Sequence, residues 1–214
     1  QGKSYYDMCG IVGYVGSRQC TEVLIDALSK LEYRGYDSAG IAVFDNGEIK
    51  VAKSKGRLKD LENKMEKEGT PNGFAGIGHT RWATHGEPSD VNSHPHSGER
   101  VTIVHNGIIE NYKPLKEFLL SQGRVFQSET DTEVVAQLLD YYYDGNPLET
   151  IKKVMHELEG SFALGIVFAD FKDTVYAVRC ESPLIVGVGE NESFIASDVP
   201  AILKYTKDYY PVSY

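Results

Sequence analysis

The sequence has little of what marks a secreted, membrane-borne or nucleic-acid-binding chain. Only three cysteines occur in 214 residues, an odd and small number that makes no disulfide framework. Positive charge is scarce, with 22 Lys+Arg against 31 Asp+Glu and a formal net charge of −9. Nucleic-acid affinity rests on neutralising phosphates with Lys and Arg, so a broad phosphate-binding surface is excluded. No apolar run approaches the ~20 residues that cross a bilayer. The longest, Phe162 to Ala169, is strand-sized. Residues 1 to 7 lack the apolar core of a signal peptide. No GxGxxG, P-loop, HExxH or CxxC spacing, internal repeat or low-complexity linker is found. What is present is a globular composition, 41% hydrophobic and 25% charged, at a length that suits one domain. A soluble cytoplasmic protein, with neither nucleic acid nor membrane as partner, is the expectation.

Short apolar runs alternate with amphipathic stretches. Strands are expected at Gly10 to Val15, Ile41 to Phe44, Glu48 to Ala52, Phe74 to Arg81 and Val101 to Val104. Four more follow at Phe162 to Phe168, Val175 to Arg179, Leu184 to Val188 and Ser193 to Ala196. Asp45-Asn46-Gly47 is a hairpin signal. Helical spacing covers Thr21 to Tyr33, Leu58 to Glu68, Tyr112 to Leu120 and Leu148 to Leu158. Thr130 to Glu133 reads as a capping box opening a helix to Tyr143, and Ser197-Asp198 caps a short one from Val199 to Lys204. A long polar loop spans Trp82 to Arg100. Strands joined by hairpin-length turns, with helices gathered in groups, predict an α+β fold of antiparallel sheets covered by helices.

Four segments carry candidate chemistry. Cys9 stands before Gly10-Ile11-Val12-Gly13 and directly after Met8, which sits where an initiator would. Exposed as a first residue, Cys9 would carry a thiol and a free amine together. An α-amine has a reference pKa of roughly 7.7–8.0, so it can act as base toward its own thiol. A cysteine before a buried strand is otherwise an ordinary small apolar residue. Gly78 to Gly86 leaves a strand for a loop and offers Arg81 for a bidentate grip on a carboxylate, with Trp82 as an apolar wall and Thr84 and His85 as polar contacts. Asn106-Gly107 supplies two donors suited to an oxyanion, or else a strand-ending turn. Asp131 can pair with an ammonium, or simply favour a helix N-terminus. Five of the six histidines lie from His79 to His105, but without ligand spacing; His94 and His96 flank a proline and share no fixed face, so no metal is expected.

Together, Met8 to Gly13, Leu31 to Gly40, His79 to Pro88, Asn92 to His96, His105 to Asn111, Ser128 to Val134 and Phe194 to Asp198 resemble one family in order. It is the glutaminase domain (class II glutamine amidotransferase) of the glucosamine-6-phosphate synthases. Tyr33-Arg34-Gly35-Tyr36 and Arg81 to Gly86 set this sequence apart from the sister amidophosphoribosyltransferases. The resemblance implies the N-terminal nucleophile hydrolase fold, a four-layer αββα sandwich of two antiparallel sheets between helices. It implies Cys9 as nucleophile, its amine as base, and Asn106 with the Gly107 N–H as oxyanion hole. It also implies Arg81 on the glutamine α-carboxylate, Thr84 and His85 lining the site, Asp131 with Gly107 at the α-amino group, Trp82 gating ammonia, and Arg34 supporting the site loop. L-glutamine and L-glutamate are the implied ligands, and no cofactor is required.

Residues 1 to 7 read as an added leader and 8 to 214 as a single glutaminase domain, with the family's sugar-phosphate isomerase half absent. The leader acylates the Cys9 nitrogen, so impaired hydrolysis is expected while it remains. This portion is expected to be monomeric and the full-length enzyme dimeric. The alternatives are the glutaminase domain of another amidotransferase, or a glutamine- or glutamate-binding domain without turnover. Cys20 and Cys180 are assigned no role.

Overall fold

Asn46 and Gly47, with φ of 52° and 80°, form the two-residue turn that the sequence signals. They join β2 (Ser38–Asp45) to β3 (Glu48–Lys55) in an antiparallel ladder. The computed structural model describes residues 9–82 and 87–213, with the side chain of Arg34 outside the description. Before this hairpin lie β1 (Gly10–Val15) and α1 (Cys20–Ser29); after it come α2 (Leu58–Glu68) and β4 (Ala75–Arg81). The second half contains β5 (His96–Ser97), β6 (Val101–Ile109), α3 (Tyr112–Ser121), α4 (Asp131–Tyr142) and α5 (Pro147–Glu157). Strands β7 (Gly160–Phe168), β8 (Tyr176–Cys180), β9 (Ile185–Gly189), β10 (Glu192–Ala196) and β11 (Tyr209–Pro211) complete it.

The strands make two antiparallel sheets. One runs β11-β9-β10-β1-β4-β2-β3 and the other β5-β6-β7-β8. Period-2 alternation explains how each sheet serves two cores. Val12, Tyr14, Ile41, Val43 and Phe194 face α1 and α2. Their neighbours Ile11, Ala42, Phe44 and Ile195 face the second sheet, meeting Val104, Ala163 and Val167. On the far side, Ile103, Ile109, Leu164 and Ile166 meet Val134, Val135, Leu138 and Leu139 of α4. The result is the expected αββα sandwich. Each fully buried aliphatic side chain stabilises by about 1.5–3 kcal/mol. No described helix is long and apolar enough to cross a membrane.

Several boundaries differ from the sequence expectation. The first helix ends at Ser29 rather than Tyr33, and Glu32–Arg34 forms a separate 3-10 turn closed by Gly35. Val199–Ala201 is likewise a 3-10 turn, capped by the Asp198 carboxylate. The expected capping box is half formed. Thr130 accepts the Glu133 N–H, but the Glu133 carboxylate turns back to the N–H groups of Gln127 and Ser128. Strand β6 does not stop at Val104. It continues through His105-Asn106-Gly107 to Ile109, in register with Gly160–Phe168. Neither β5 nor β11 was legible, since each is very short and held by its neighbour strand rather than by its own pattern.

Candidate active site

The start of β1, the end of β4 and the middle of β6 meet at one end of the space between the sheets. Gly10 pairs with Thr80, and Ile11 with His79, so β1 delivers Cys9 beside Arg81 and Trp82. Ser197 fastens this corner: its N–H donates to Ile11 O at 2.9 Å, and its hydroxyl accepts the Ile11 N–H at 2.9 Å. The half-buried Cys9 sulfur accepts the Trp82 N–H at 3.3 Å, and the thiol faces Trp82 O at 3.7 Å.

Burial pushes the Cys9 thiol up to about 11, against the lowering pull of the Trp82 N–H and the Arg81 charge, while Asp37 and Asp131 add to the rise. A thiol in that range is protonated at neutral pH, so any reaction in which this sulfur attacks would need a base.

Asn106 reaches back to the same corner, its Nδ2 donating to Cys9 O at 3.0 Å. Beside it, Gly107 takes φ of +104° within the β6–β7 ladder. A Cβ there would stand 2.0 Å from Ser161 O, so only glycine fits. The left-handed residue lets the strand carry on through this position in register with β7. The turn alternative for Asn106-Gly107 is therefore replaced by a kinked strand interior.

Arg81 and Asp131 are both buried. Alternation along β4 sets Ala75, Ile77, His79 and Arg81 on the face toward the second sheet. Asp131 opens α4, and its Oδ2 accepts the Ile109 N–H at 3.1 Å. The charges of Arg81 and Asp131 both act on the Cys9 thiol, Arg81 lowering and Asp131 raising it, and Asp131 also acts on Arg81. Trp82 is partly exposed; a Cβ on Gly35 would lie 3.7 Å from its ring. Tyr33 donates to Asp198 Oδ2 at 2.6 Å. Thr84 and His85 lie outside the described residues, as do residues 1–8, and the same holds for the Arg34 side chain.

The histidines behave differently from the expectation. His94 and His96 do share a fixed environment, packed with His79 and His105. The His94 ring stacks on His79 at 4.0 Å and meets His96 edge-on at 4.9 Å. Thr132 Oγ1 lies 2.8 Å from His105 Nδ1 and 3.2 Å from His94 Nε2, and Thr130 Oγ1 lies 3.0 Å from His96 Nε2. The loop that carries His94 and His96 is tied down by Lys53, whose ammonium donates to the carbonyls of Val91, Ser93 and Pro95. Burial is the leading cause holding His79, His94 and His96 below the usual imidazole range, His79 at about 3. Among the described residues no group of three or more His, Cys, Asp or Glu is placed to hold a metal ion.

Sequence reasoning missed Asp37 and gave His79 no role. Asp37 N donates to Arg81 O at 2.8 Å, and its charge acts on both Cys9 and Arg81. His79 shares a β4 face with Arg81, a period-2 signal that was there to be read.

Residues 79–204 match a family model described as a glutamine amidotransferase domain. The chain is 58% identical over 205 residues to a glutamine–fructose-6-phosphate aminotransferase (isomerizing) of Caldanaerobacter subterraneus subsp. tengcongensis, covering 95% of this chain and 34% of that protein. It is 53% identical over 203 residues to the Thermus thermophilus enzyme of the same name, covering 94% and 33%. The chain thus spans about a third of the length of these relatives. Among solved structures, a Bacillus subtilis glutamine phosphoribosylpyrophosphate amidotransferase superposes with a TM-score of 0.82 at 27% identity, over 96% of this chain and 45% of that one. A class-II glutamine aminotransferase domain protein from Silicibacter pomeroyi shares the fold, with a TM-score of 0.63 at 13% identity, over 96% and 91%.

Proposed function

Since this chain belongs to the glutamine amidotransferase domain family, we propose that it hydrolyses L-glutamine to L-glutamate and ammonia through a γ-glutamyl thioester on Cys9. The convergence of the Cys9 sulfur, the Asn106 amide and the left-handed Gly107 on one corner carries this reading. The Cys9 sulfur attacks the side-chain amide carbon, and its proton passes to the α-amine of the same residue. The new oxyanion accepts from Asn106 Nδ2 and the Gly107 N–H. Collapse expels ammonia, which leaves with the proton held on the amine. Water then adds to the thioester carbon, the amine takes its proton, and glutamate departs as the thiol is restored.

Arg81 grips the α-carboxylate and Asp131 pairs with the α-ammonium, fixing the amino acid end of the substrate. Thr84 and His85 line the same pocket, Trp82 covers its mouth, and Arg34 supports the neighbouring turn. In the chain as written the Cys9 nitrogen is a peptide nitrogen, which is no base. We therefore infer that the site works only when Cys9 is the first residue, with its amine free.

The relatives' names point to the acceptor. In the whole protein, a sugar-phosphate isomerase domain beyond this portion would use the ammonia to convert fructose 6-phosphate to glucosamine 6-phosphate. Identities above half to those enzymes favour this acceptor over phosphoribosylpyrophosphate.

The test compares glutamate release by the intact chain and by a chain trimmed to begin at Cys9. Turnover by the trimmed chain alone is expected. Equal turnover by both would remove the amine from its role as base. Glutamate binding with no turnover in either would favour a binding domain.

A further inference from the structure

The Asn106 carboxamide can serve an oxyanion only if its NH2, and not its oxygen, faces Cys9. A carboxamide is nearly symmetric in shape, so something must choose. The second sheet does not, because Asn106 points away from it toward the first. On that side stands His79, delivered by β4 two residues before Arg81. Its Nε2 lies 2.8 Å from the backbone oxygen of His105 and 3.1 Å from Asn106 Oδ1.

A carbonyl oxygen only accepts, so His79 Nε2 must carry the hydrogen. A ring nitrogen that donates to His105 O cannot also accept from an Asn106 NH2. The Asn106 atom facing His79 is therefore its oxygen, and the NH2 is turned toward Cys9. The bond from Asn106 Nδ2 to Cys9 O at 3.0 Å meets the same requirement from the other side. We propose that His79 is a positioning residue that, through one bifurcated Nε2–H, fixes the Asn106 carboxamide in the orientation the oxyanion hole needs.

The remainder of the environment supports a neutral ring with a bare Nδ1. Among the described residues that atom is buried without a hydrogen-bond partner, and the ring lies flat on His94 at 4.0 Å and 13°. Proton transfer is thus not its task. Its contribution is the tautomer and the place of one hydrogen. The catalytic part of this inference rests on the glutamine-hydrolysis reading; the orientation of Asn106 does not.

Two measurements test it, and they fail independently. The first is nitrogen NMR of the intact chain, which needs no activity. The Nε2–H tautomer of His79 is expected, with the Asn106 NH2 resonances displaced in His79→Leu and returned toward their place in His79→Gln, whose amide nitrogen can reach the Nε2 position. An Nδ1–H tautomer, or NH2 resonances indifferent to His79→Leu, overturns the proposal. The second is kinetics on the chain trimmed to Cys9. His79→Leu is expected to lower kcat about 100-fold, the loss typical of one oxyanion donor, with KM within about threefold. His79→Gln should recover most of it. The double variant with Asn106→Ala should be no slower than Asn106→Ala alone, since His79 acts through that amide. Multiplying losses, or a fall seen only in KM, overturns the proposal. A trimmed parent chain that does not hydrolyse glutamine refutes the functional reading, and the NMR result then decides the orientation by itself.

Discussion

The Trp82 backbone N–H points at the Cys9 sulfur from 3.3 Å. It is the kind of donor that favours a thiolate, yet it does not outweigh burial, and the thiol is held up at about 11. Slow alkylation follows. At pH 7 a thiol at about 11 is ionised about 300-fold less than a free cysteine at about 8.5, and alkylation of Cys9 in the intact chain should be slower by about that factor. The rate should climb about tenfold per pH unit up to that range. Iodoacetamide labelling followed by peptide mass spectrometry, with Cys9→Ala as the blank, reads it directly. Cys20 is fully buried and pushed up further, so it should stay unlabelled. Rapid labelling of Cys9 at pH 7 would show a thiolate already present and remove the need for a base.

Gly107→Ala should damage both fold and chemistry. Its φ of +104° disfavours any side chain, and the added Cβ would meet Ser161 O at 2.0 Å. Strain of this kind costs about 1–3 kcal/mol. In a chain of this size that is a fall of about 2–12 °C in melting temperature. Relief of the clash must also displace the Gly107 N–H, so glutamine turnover should fall by about 10²-fold or more. Unchanged kcat with a lowered melting temperature would take that N–H out of the oxyanion hole.

Legibility in the sequence followed the reach of the forces involved. Strands such as Gly10–Val15, and the Leu58–Glu68 helix, are set by local periodicity and matched their expected bounds. The Asn46-Gly47 turn was readable because its backbone needs are local. Strand β6 was cut short because Asn106-Gly107 looks like a turn until β7 is there to pair with it. Cys9, Arg81, Asn106 and Asp131 stood out in the sequence as candidates, and sheet register sets where β1, β4 and β6 carry the first three. The histidine cluster was not readable. It depends on Lys53 tying down a loop from β3 and on the hydroxyls of Thr130 and Thr132 at the start of α4, contacts that no local spacing encodes.

Acid should unfold this protein through those histidines. His79, His94 and His96 are neutral and buried, each held below the ordinary 6.5. Below pH 6.5 the unfolded chain binds protons that the folded chain refuses. Stability therefore falls as pH drops from about 6.5 toward the folded values, near 3 for His79. Each such proton contributes a slope of about 1.4 kcal/mol per pH unit. Three together approach about 4 kcal/mol per unit, which exhausts an ordinary stability of about 5–15 kcal/mol within a few units. Urea unfolding at pH 7, 6 and 5 should show the midpoint dropping steeply below 6.5. A midpoint constant across that range would mean the histidines are charged or exposed in the folded state.

Two substitutions separate the structural tie made by Asp131 from its proposed role toward the substrate. Its Oδ2 accepts the Ile109 N–H at 3.1 Å, which ties α4 to β6, and its charge faces the Cys9–Arg81 corner. Asp131→Asn keeps an oxygen for Ile109 and removes the charge. In the chain trimmed to Cys9 it should raise the KM for glutamine about tenfold or more, the loss expected of an ion pair with the α-ammonium, while the melting temperature holds. Asp131→Ala removes the acceptor as well and leaves a buried N–H without its partner. That adds a stability loss of about 1–3 kcal/mol, visible as a lower melting temperature. If Asp131→Asn leaves KM unchanged while Asp131→Ala lowers stability, the residue is a helix-start tie only, and the substrate ammonium must be held elsewhere.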